Sequence, residues 1–226
     1  NPGGTVYYYS VDWSPDGNRL AVGGYEKLYI VETNTWTTNR TINTFSYLNA
    51  VAWSPDGNMI AACSGWGGSD ARERVYNAHT GSQMWSYTTS TSCMDTAWSP
   101  DSSQVAFTHS YYRSDGASIR ILNSDNGNSI DTLTAPRPGG CTSSGGGNNC
   151  GTINGVDWHP DGNHIITAHT RNDEGLYHWI VNPDIDGDGY LNPDDAFPED
   201  GTQWNDTDGD NYGDNPAPAT EPDACP

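Results

Sequence analysis

One phrase returns four times along this chain. Trp-Ser-Pro-Asp-Gly-Asn occupies residues 13–18 and again 53–58; residues 98–103 read Trp-Ser-Pro-Asp-Ser-Ser, and 158–163 read Trp-His-Pro-Asp-Gly-Asn. The tryptophans stand 40, 45 and 60 residues apart. Self-similarity at such a period means one supersecondary unit used repeatedly, each copy burying its apolar face against the next. A short apolar alternation ends in each tryptophan, as in Val11-Asp12-Trp13, Val51-Ala52-Trp53, Thr96-Ala97-Trp98 and Val156-Asp157-Trp158. Pro-Asp-Gly then predicts a tight turn, because proline presets φ and glycine accepts φ > 0. A second strand is expected at 19–22, 59–63, 104–108 and 164–168, and a third at 27–32, 74–78, 119–123 and 176–181. In the first three copies a turn (Asn34-Thr35, Thr80-Gly81, Asn126-Gly127) leads to a fourth strand near 38–44, 83–87 and 129–133. No segment carries a helical period of useful length, so the chain reads as all-β, a series of four-stranded meanders.

This pattern resembles the WD-repeat type of β-propeller over roughly residues 5–182. The Ser-Pro-Asp-Gly turn between two β runs carries the resemblance. The closing Trp-Asp of that family is absent: the third strands end Val31-Glu32, Asn77-Ala78, Asn123-Ser124 and Val181-Asn182. The likeness is therefore to the wider propeller superfamily. It implies a propeller of four four-stranded blades in residues 1–183, either as a ring or as an incomplete arc. Propellers have 4–8 blades. Two details argue against simple closure. The fourth copy ends after its third strand, where Asn182-Pro183 runs into an acidic segment, and only residues 5–9 precede the first copy as a closing strand. An open arc exposes sheet edges and apolar faces, which folded proteins avoid. The arc is expected to close on itself, pair with another arc, or belong to a longer polypeptide. Assembly with another copy, as a homo-oligomer or polymer, is the favoured expectation.

The five cysteines are an odd number. Cys141 and Cys150 bracket a Gly-rich loop that needs a tie, so a disulfide is expected there. Cys63 ends the second strand of blade two and Cys93 opens the approach to blade three; on one rim of adjacent blades they predict a second bridge. Cys225 is left over, to pair between molecules or with a partner outside this chain. The competing reading is a set of reduced, buried thiols. Disulfides point to an oxidising compartment, hence to an extracellular or cell-surface location. Asn39-Arg40-Thr41 and Asn205-Asp206-Thr207 are glycan acceptor triplets, which also arise often by chance. A first residue of Asn1 fits a processed or trimmed chain. No stretch approaches 18 apolar residues, so no membrane span is expected.

The net charge of −20 is not spread evenly. Residues 184–226 hold 11 Asp, 2 Glu and no Lys or Arg, which places −13 in that segment. Charge so concentrated suggests bound cations. Asp184, Asp186 and Asp188 stand at positions 1, 3 and 5 of a loop, with Gly189 at 6, the Tyr190 backbone carbonyl at 7 and Asp195 at 12. That matches the oxygen cage of a calcium loop, with Asp in place of a bidentate Glu. Asp206, Asp208, Asp210, Tyr212 and Asp214 repeat positions 1, 3, 5, 7 and 9; Asn211 stands at 6 and Ala217 at 12. No helical pattern flanks either loop, so this is not an EF-hand pair. The segment resembles the thrombospondin type 3 repeat over residues 184–198 and 204–215, with a terminal Asp223-Ala224-Cys225-Pro226. The resemblance implies calcium at Asp184, Asp186, Asp188, Asp195, Asp206, Asp208, Asp210 and Asp214, with Asp194, Glu199 and Asp200 as shared ligands. The competing reading is a disordered acidic linker, and without metal that reading should hold, since folding is coupled to binding.

No Gly-x-Ser-x-Gly elbow, phosphate-cradling loop or haem-attachment motif is present, and no catalytic residue is expected. Asp12, Asp95 and Asp157 recur near the blade-lining strand; a turn-stabilising or channel-lining acid is the ordinary reading, catalysis the sharper one. Few dispersed bases and a charge of −20 repel nucleic acid. Tyr7-Tyr8-Tyr9 and Tyr111-Tyr112 suit rim packing or a subunit interface, or contact with a protein or sugar. The expectation is an extracellular, non-enzymatic, calcium-binding structural protein that self-assembles. The alternative is an adhesion or binding module whose propeller loops grip a protein or glycan. A propeller hydrolase is the third and weakest reading.

Overall fold

A computed structural model of the chain describes residues 7–44, 47–65, 71–89, 91–109, 117–135, 152–170, 175–181, 196–197, 200–206 and 213–214. Fifteen strands and no helix occur among them. Blade 1 comprises β1 (Tyr8–Trp13), β2 (Arg19–Gly24), β3 (Lys27–Glu32) and β4 (Thr37–Asn43). Blade 2 comprises β5 (Leu48–Trp53), β6 (Met59–Ser64), β7 (Arg72–Asn77) and β8 (Gln83–Thr88). Blade 3 comprises β9 (Cys93–Trp98), β10 (Gln104–His109), β11 (Ser118–Asn123) and β12 (Ser129–Thr134). Blade 4 comprises β13 (Thr152–Trp158), β14 (His164–Thr170) and β15 (Leu176–Ile180). Each sheet is an antiparallel meander in chain order, three of them four-stranded and the fourth three-stranded as described. Tyr8 and Tyr9 open β1, where Tyr8 pairs with Gly24, so they belong to blade 1 and close no other sheet.

The repeated phrase is a self-contained turn. Ser14 Oγ donates to Asp16 Oδ1 at 2.6 Å and accepts the Arg19 amide at 2.9 Å. Ser54 does the same with Asp56 and Met59 (2.5 and 2.9 Å), and Ser99 with Asp101 and Gln104 (2.6 and 2.9 Å). The aspartate also accepts the amide two residues on, from Asn18, Asn58 or Ser103. Serine and aspartate thus close the hairpin locally, which is why the phrase can be repeated without reference to its surroundings. The glycine position needs φ > 0: it is +70° at Gly17, +78° at Gly57 and +64° at Ser102. Ser102 departs from glycine because its hydroxyl accepts the Asp56 amide of the neighbouring blade at 3.0 Å.

The innermost strands pack in order, β1 on β5, β5 on β9 and β9 on β13, and β1 makes no comparable contact with β13. Two apolar cores lie between blades. Ala21, Leu28 and Ile30 of blade 1 meet Leu48, Val51, Trp53, Ile60 and Ala62 of blade 2. Ala50, Met59, Ala61, Cys63, Val75 and Trp85 of blade 2 meet Cys93, Trp98, Val105, Phe107 and Leu122 of blade 3. β6 is buried at all six positions because both of its faces are covered. Full burial of one such side chain is worth roughly 1.5–3 kcal/mol, so a blade gains its stability from its neighbours.

The chain divides into two compact units, one of Asn1–Asp161 with Ile165–His178, the other of Gly162–His164 with Trp179–Pro226. No helix among the described residues is long and apolar enough to cross a membrane.

Candidate functional site

The recurring acids of the inner strands hold blades together. Asp12 Oδ2 accepts the Trp53 amide at 2.6 Å, from β1 across to β5, while its Oδ1 takes the amide of Trp13 at 2.9 Å. Ser10 Oγ accepts the Val51 amide at 3.0 Å in the same interface. Asp95 Oδ2 accepts the Val156 amide at 3.0 Å, from β9 to β13. Between β5 and β9 the clamp is Asn49, whose Nδ2 donates to the Cys93 carbonyl at 2.7 Å, together with the Trp98 indole on the Ala52 carbonyl at 3.0 Å. Burial pushes both Asp12 and Asp95 up from 3.8, and the amides they accept offset part of the rise. These carboxylates are engaged by backbone amides, which suits an interblade clamp better than acid–base work.

A second polar cluster lies between blades 2 and 3. Glu73 on β7 is fully buried; His109 Nε2 on β10 lies 2.6 Å from its Oε1 and Arg120 on β11 donates to its Oε2 at 3.0 Å. The Arg120 guanidinium also lies over the Tyr87 ring, 4.2 Å from its centroid. Nothing in the sequence singled out this cluster, although the charged run Arg72-Glu73-Arg74 within a strand was the available signal. The Cys63–Cys93 disulfide predicted from the rim positions joins the same two blades, with Cα atoms 5.5 Å apart. Cys141, Cys150 and Cys225 lie outside the described residues.

No blade among the described residues packs on the side of β1 away from blade 2. Val11 is 61% exposed and Trp13 53%, whereas the equivalent Val51 and Trp53 are 5% and 6% exposed. Around it stands a surface group of tyrosines: Tyr8 meets Tyr29, Tyr9 meets Tyr47, and Tyr25 meets Tyr47 edge-on with centroids 4.5 Å apart. Tyr111 and Tyr112 lie outside the described residues. A shallow cleft of about 190 Å³ opens between the first two turns, but the Asp16 and Asp56 carboxylates that line it are committed to their own hairpins.

Of the expected calcium ligands, Asp206 and Asp214 are described; Asp184, Asp186, Asp188, Tyr190, Asp195, Asp208, Asp210 and Tyr212 lie outside the described residues. So do Asp194 and Glu199. The ends of the second loop are tied together: the Asp214 amide donates to the Asn205 carbonyl at 2.9 Å, and Asn205 Nδ2 donates to Asp214 Oδ2 at 2.7 Å. A Cβ on Gly213 would run into the side-chain amide of Gln203, which is buried, so a larger residue there has to displace that side chain. Asp200 uses Oδ1 to cap a turn, accepting the Thr202 amide and hydroxyl at 3.1 and 2.7 Å.

The WD domain, G-beta repeat family matches residues 3–28, 36–69 and 139–179. Three solved structures share the fold. Kuenenia stuttgartiensis Hydrazine Synthase aligns with 17% identity and a TM-score of 0.60, covering 72% of this chain and 43% of that one. A chain of the Mitotic Checkpoint Complex aligns with 22% identity and a TM-score of 0.59 over 77% and 49%. The Myceliophteria thermophila Cps50 (Swd1) β-propeller domain aligns with 13% identity and a TM-score of 0.59 over 77% and 54%. The chain spans about half the length of these structures. No curated protein matches it. Fold and repeats together show β-propeller blades, parts of which match the WD repeat.

Proposed function

We propose that this chain is a non-enzymatic scaffold that associates through its propeller blades, lies in an oxidising extracellular or cell-surface setting, and carries calcium in its C-terminal segment. The observation that carries the reading is the exposed apolar surface of blade 1, where Val11 and Trp13 share a strand with Tyr8 and Tyr9 of the tyrosine group. Exposed apolar stripes of this kind mark interaction surfaces. The Cys63–Cys93 bridge supports the oxidising setting. The calcium reading is supported by the spacing of Asp184, Asp186, Asp188 and Asp195, and by the pinned loop from Asp206 to Asp214. Calcium there would neutralise a segment that otherwise repels itself. Sedimentation of the full chain in calcium and in chelator tests the reading: an oligomer is expected, and a strict monomer in both conditions rejects it.

The exposed tyrosine group favours a second reading, an adhesion module that takes a glycan or protein on blade 1. Rings with one open face suit sugar stacking. Binding to a glycan array that persists in chelator and is lost in Tyr25→Ala would select this reading.

A further inference from the structure

The fourth copy of the turn differs from the others in the two residues that meet across it. In blades 1 to 3 the residue after the tryptophan is a serine whose Oγ accepts the amide five residues on: Ser14 from Arg19, Ser54 from Met59 and Ser99 from Gln104, each at 2.9 Å. These two places in the phrase are therefore neighbours wherever the turn is built. In blade 4 they hold His159 and His164. The hairpin that carries them keeps the register of the repeat: Trp158 pairs with Ile165 as Trp13 pairs with Leu20, Trp53 with Ile60 and Trp98 with Val105. Gly162, at φ +81°, has the conformation of Gly17 and Gly57. Hairpin geometry alone thus brings the two imidazoles together. Asp161 keeps the aspartate of the phrase. Its Oδ2 lies 2.8 Å from His159 Nδ1, and the same nitrogen accepts the Asp161 amide at 3.3 Å. One ligand atom from each of His159, Asp161 and His164 falls within 4.8 Å of the others.

We propose that this turn binds a divalent transition-metal ion, zinc or a first-row neighbour, through His159, Asp161 and His164. An imidazole nitrogen that accepts an amide proton presents a lone pair, and a carboxylate oxygen 2.8 Å away presents another; the contact needs a proton or a metal ion between them. Two imidazoles and a carboxylate suit zinc, whereas calcium takes oxygen ligands. Zinc bonds of about 2.0–2.2 Å in a tetrahedral site put ligand atoms about 3.4 Å apart. The observed span closes by rotation of exposed side chains, His159 being 59% and Asp161 37% exposed. The ion takes the place of the serine–aspartate link that closes the turns of blades 1 to 3. Three protein ligands leave a further position for water or for a group on another molecule. This site is distinct from the acidic loops of the C-terminal segment and rests neither on calcium binding nor on self-assembly.

Zinc and cobalt(II) titrations of the full chain test it, run in excess calcium so that the acidic loops are not the reporter. One zinc per chain is expected, with cobalt giving the visible absorption of a tetrahedral site. His159→Ser restores the serine of blades 1 to 3 and His164→Gln the residue of blade 3, so both should keep the fold, checked by near-ultraviolet circular dichroism. Each should lose zinc affinity by at least about tenfold, the loss that even a change beyond the ligands can cause. The wild type alone gives a second readout: imidazole nitrogen resonances of His159 and His164 should shift on adding zinc, while those of His79, His109, His169 and His178 stay. Absence of stoichiometric zinc in the wild type, equal zinc affinity in the folded variants, or shifts confined to the other histidines overturns the site.

Discussion

The Glu73 carboxylate lies 2.6 Å from Nε2 of His109, and both side chains are sealed from solvent. Their cross-strand partners are the two halves of the disulfide: Glu73 pairs with Cys63 across β6 and β7, and His109 with Cys93 across β9 and β10. A covalent link and a polar link therefore join blades 2 and 3 side by side. The polar link holds three elements at once, because Arg120 binds the second carboxylate oxygen.

Replacing Glu73 by Gln should remove the charge that Arg120 faces while nearly conserving shape. Breaking a buried pair by removing one partner costs about 3–5 kcal/mol; Arg120 is partly solvated, so about 2–3 kcal/mol is expected here. Urea unfolding with an unchanged m-value checks this. A loss below about 0.5 kcal/mol would mean that the cluster contributes nothing to the interface.

Reducing the disulfide, or changing both Cys63 and Cys93 to Ser, should lower stability by about 3 kcal/mol, given the loop closed over a sequence separation of 30. Oxidised and reduced chains compared by thermal unfolding give the difference. Since the bridge adjoins the Glu73 cluster, the double change combined with Glu73→Gln should depart from additivity.

Acid should loosen the repeated turns. The Ser14 hydroxyl, then the Asn18 amide and side chain, hold Asp16 at about 2 instead of 3.8. A depressed folded value contributes stability that is present above 3.8 and is lost as pH falls towards 2. Asp12 and Asp95, raised by burial, act with the opposite sign: their contribution is full at low pH and is lost as pH rises through their folded values. Carboxyl NMR titration of Ser14→Ala should return Asp16 towards 3.8, and an unmoved Asp16 would show that the serine does not set it.

Gly213→Ala should open the second acidic loop, because the added Cβ meets the buried Gln203 amide. If that loop holds calcium, isothermal titration should show heat for the wild type and a weaker or missing site in the variant. The blades should unfold as before. Equal calcium isotherms for the two chains would separate the pinned Asn205–Asp214 tie from any metal site.

Strand order, blade count and the Cys63–Cys93 bridge were legible in the residues alone, and the reason is local. The turn is built by Ser14, Asp16 and Asn18 within five residues of one another, and so it repeats wherever those residues repeat. Alternation on either side of each turn then sets the strands to within a residue or two. The role of the inner-strand acids was not legible, because Asp12 needs a partner amide 41 residues away before it reads as a clamp. Glu73, His109 and Arg120 come together from separations of 36 and 47 residues, which no local pattern encodes.

Periodicity in the chain settled what each blade is, since hydrogen bonds inside a hairpin depend only on neighbours in sequence. Packing alone decided which surfaces those blades leave bare: Val11 and Val51 occupy the same place in their repeats, and one meets water while the other meets blade 1. Burial is a property of what stands opposite a side chain, and that information lies in the arrangement of the blades.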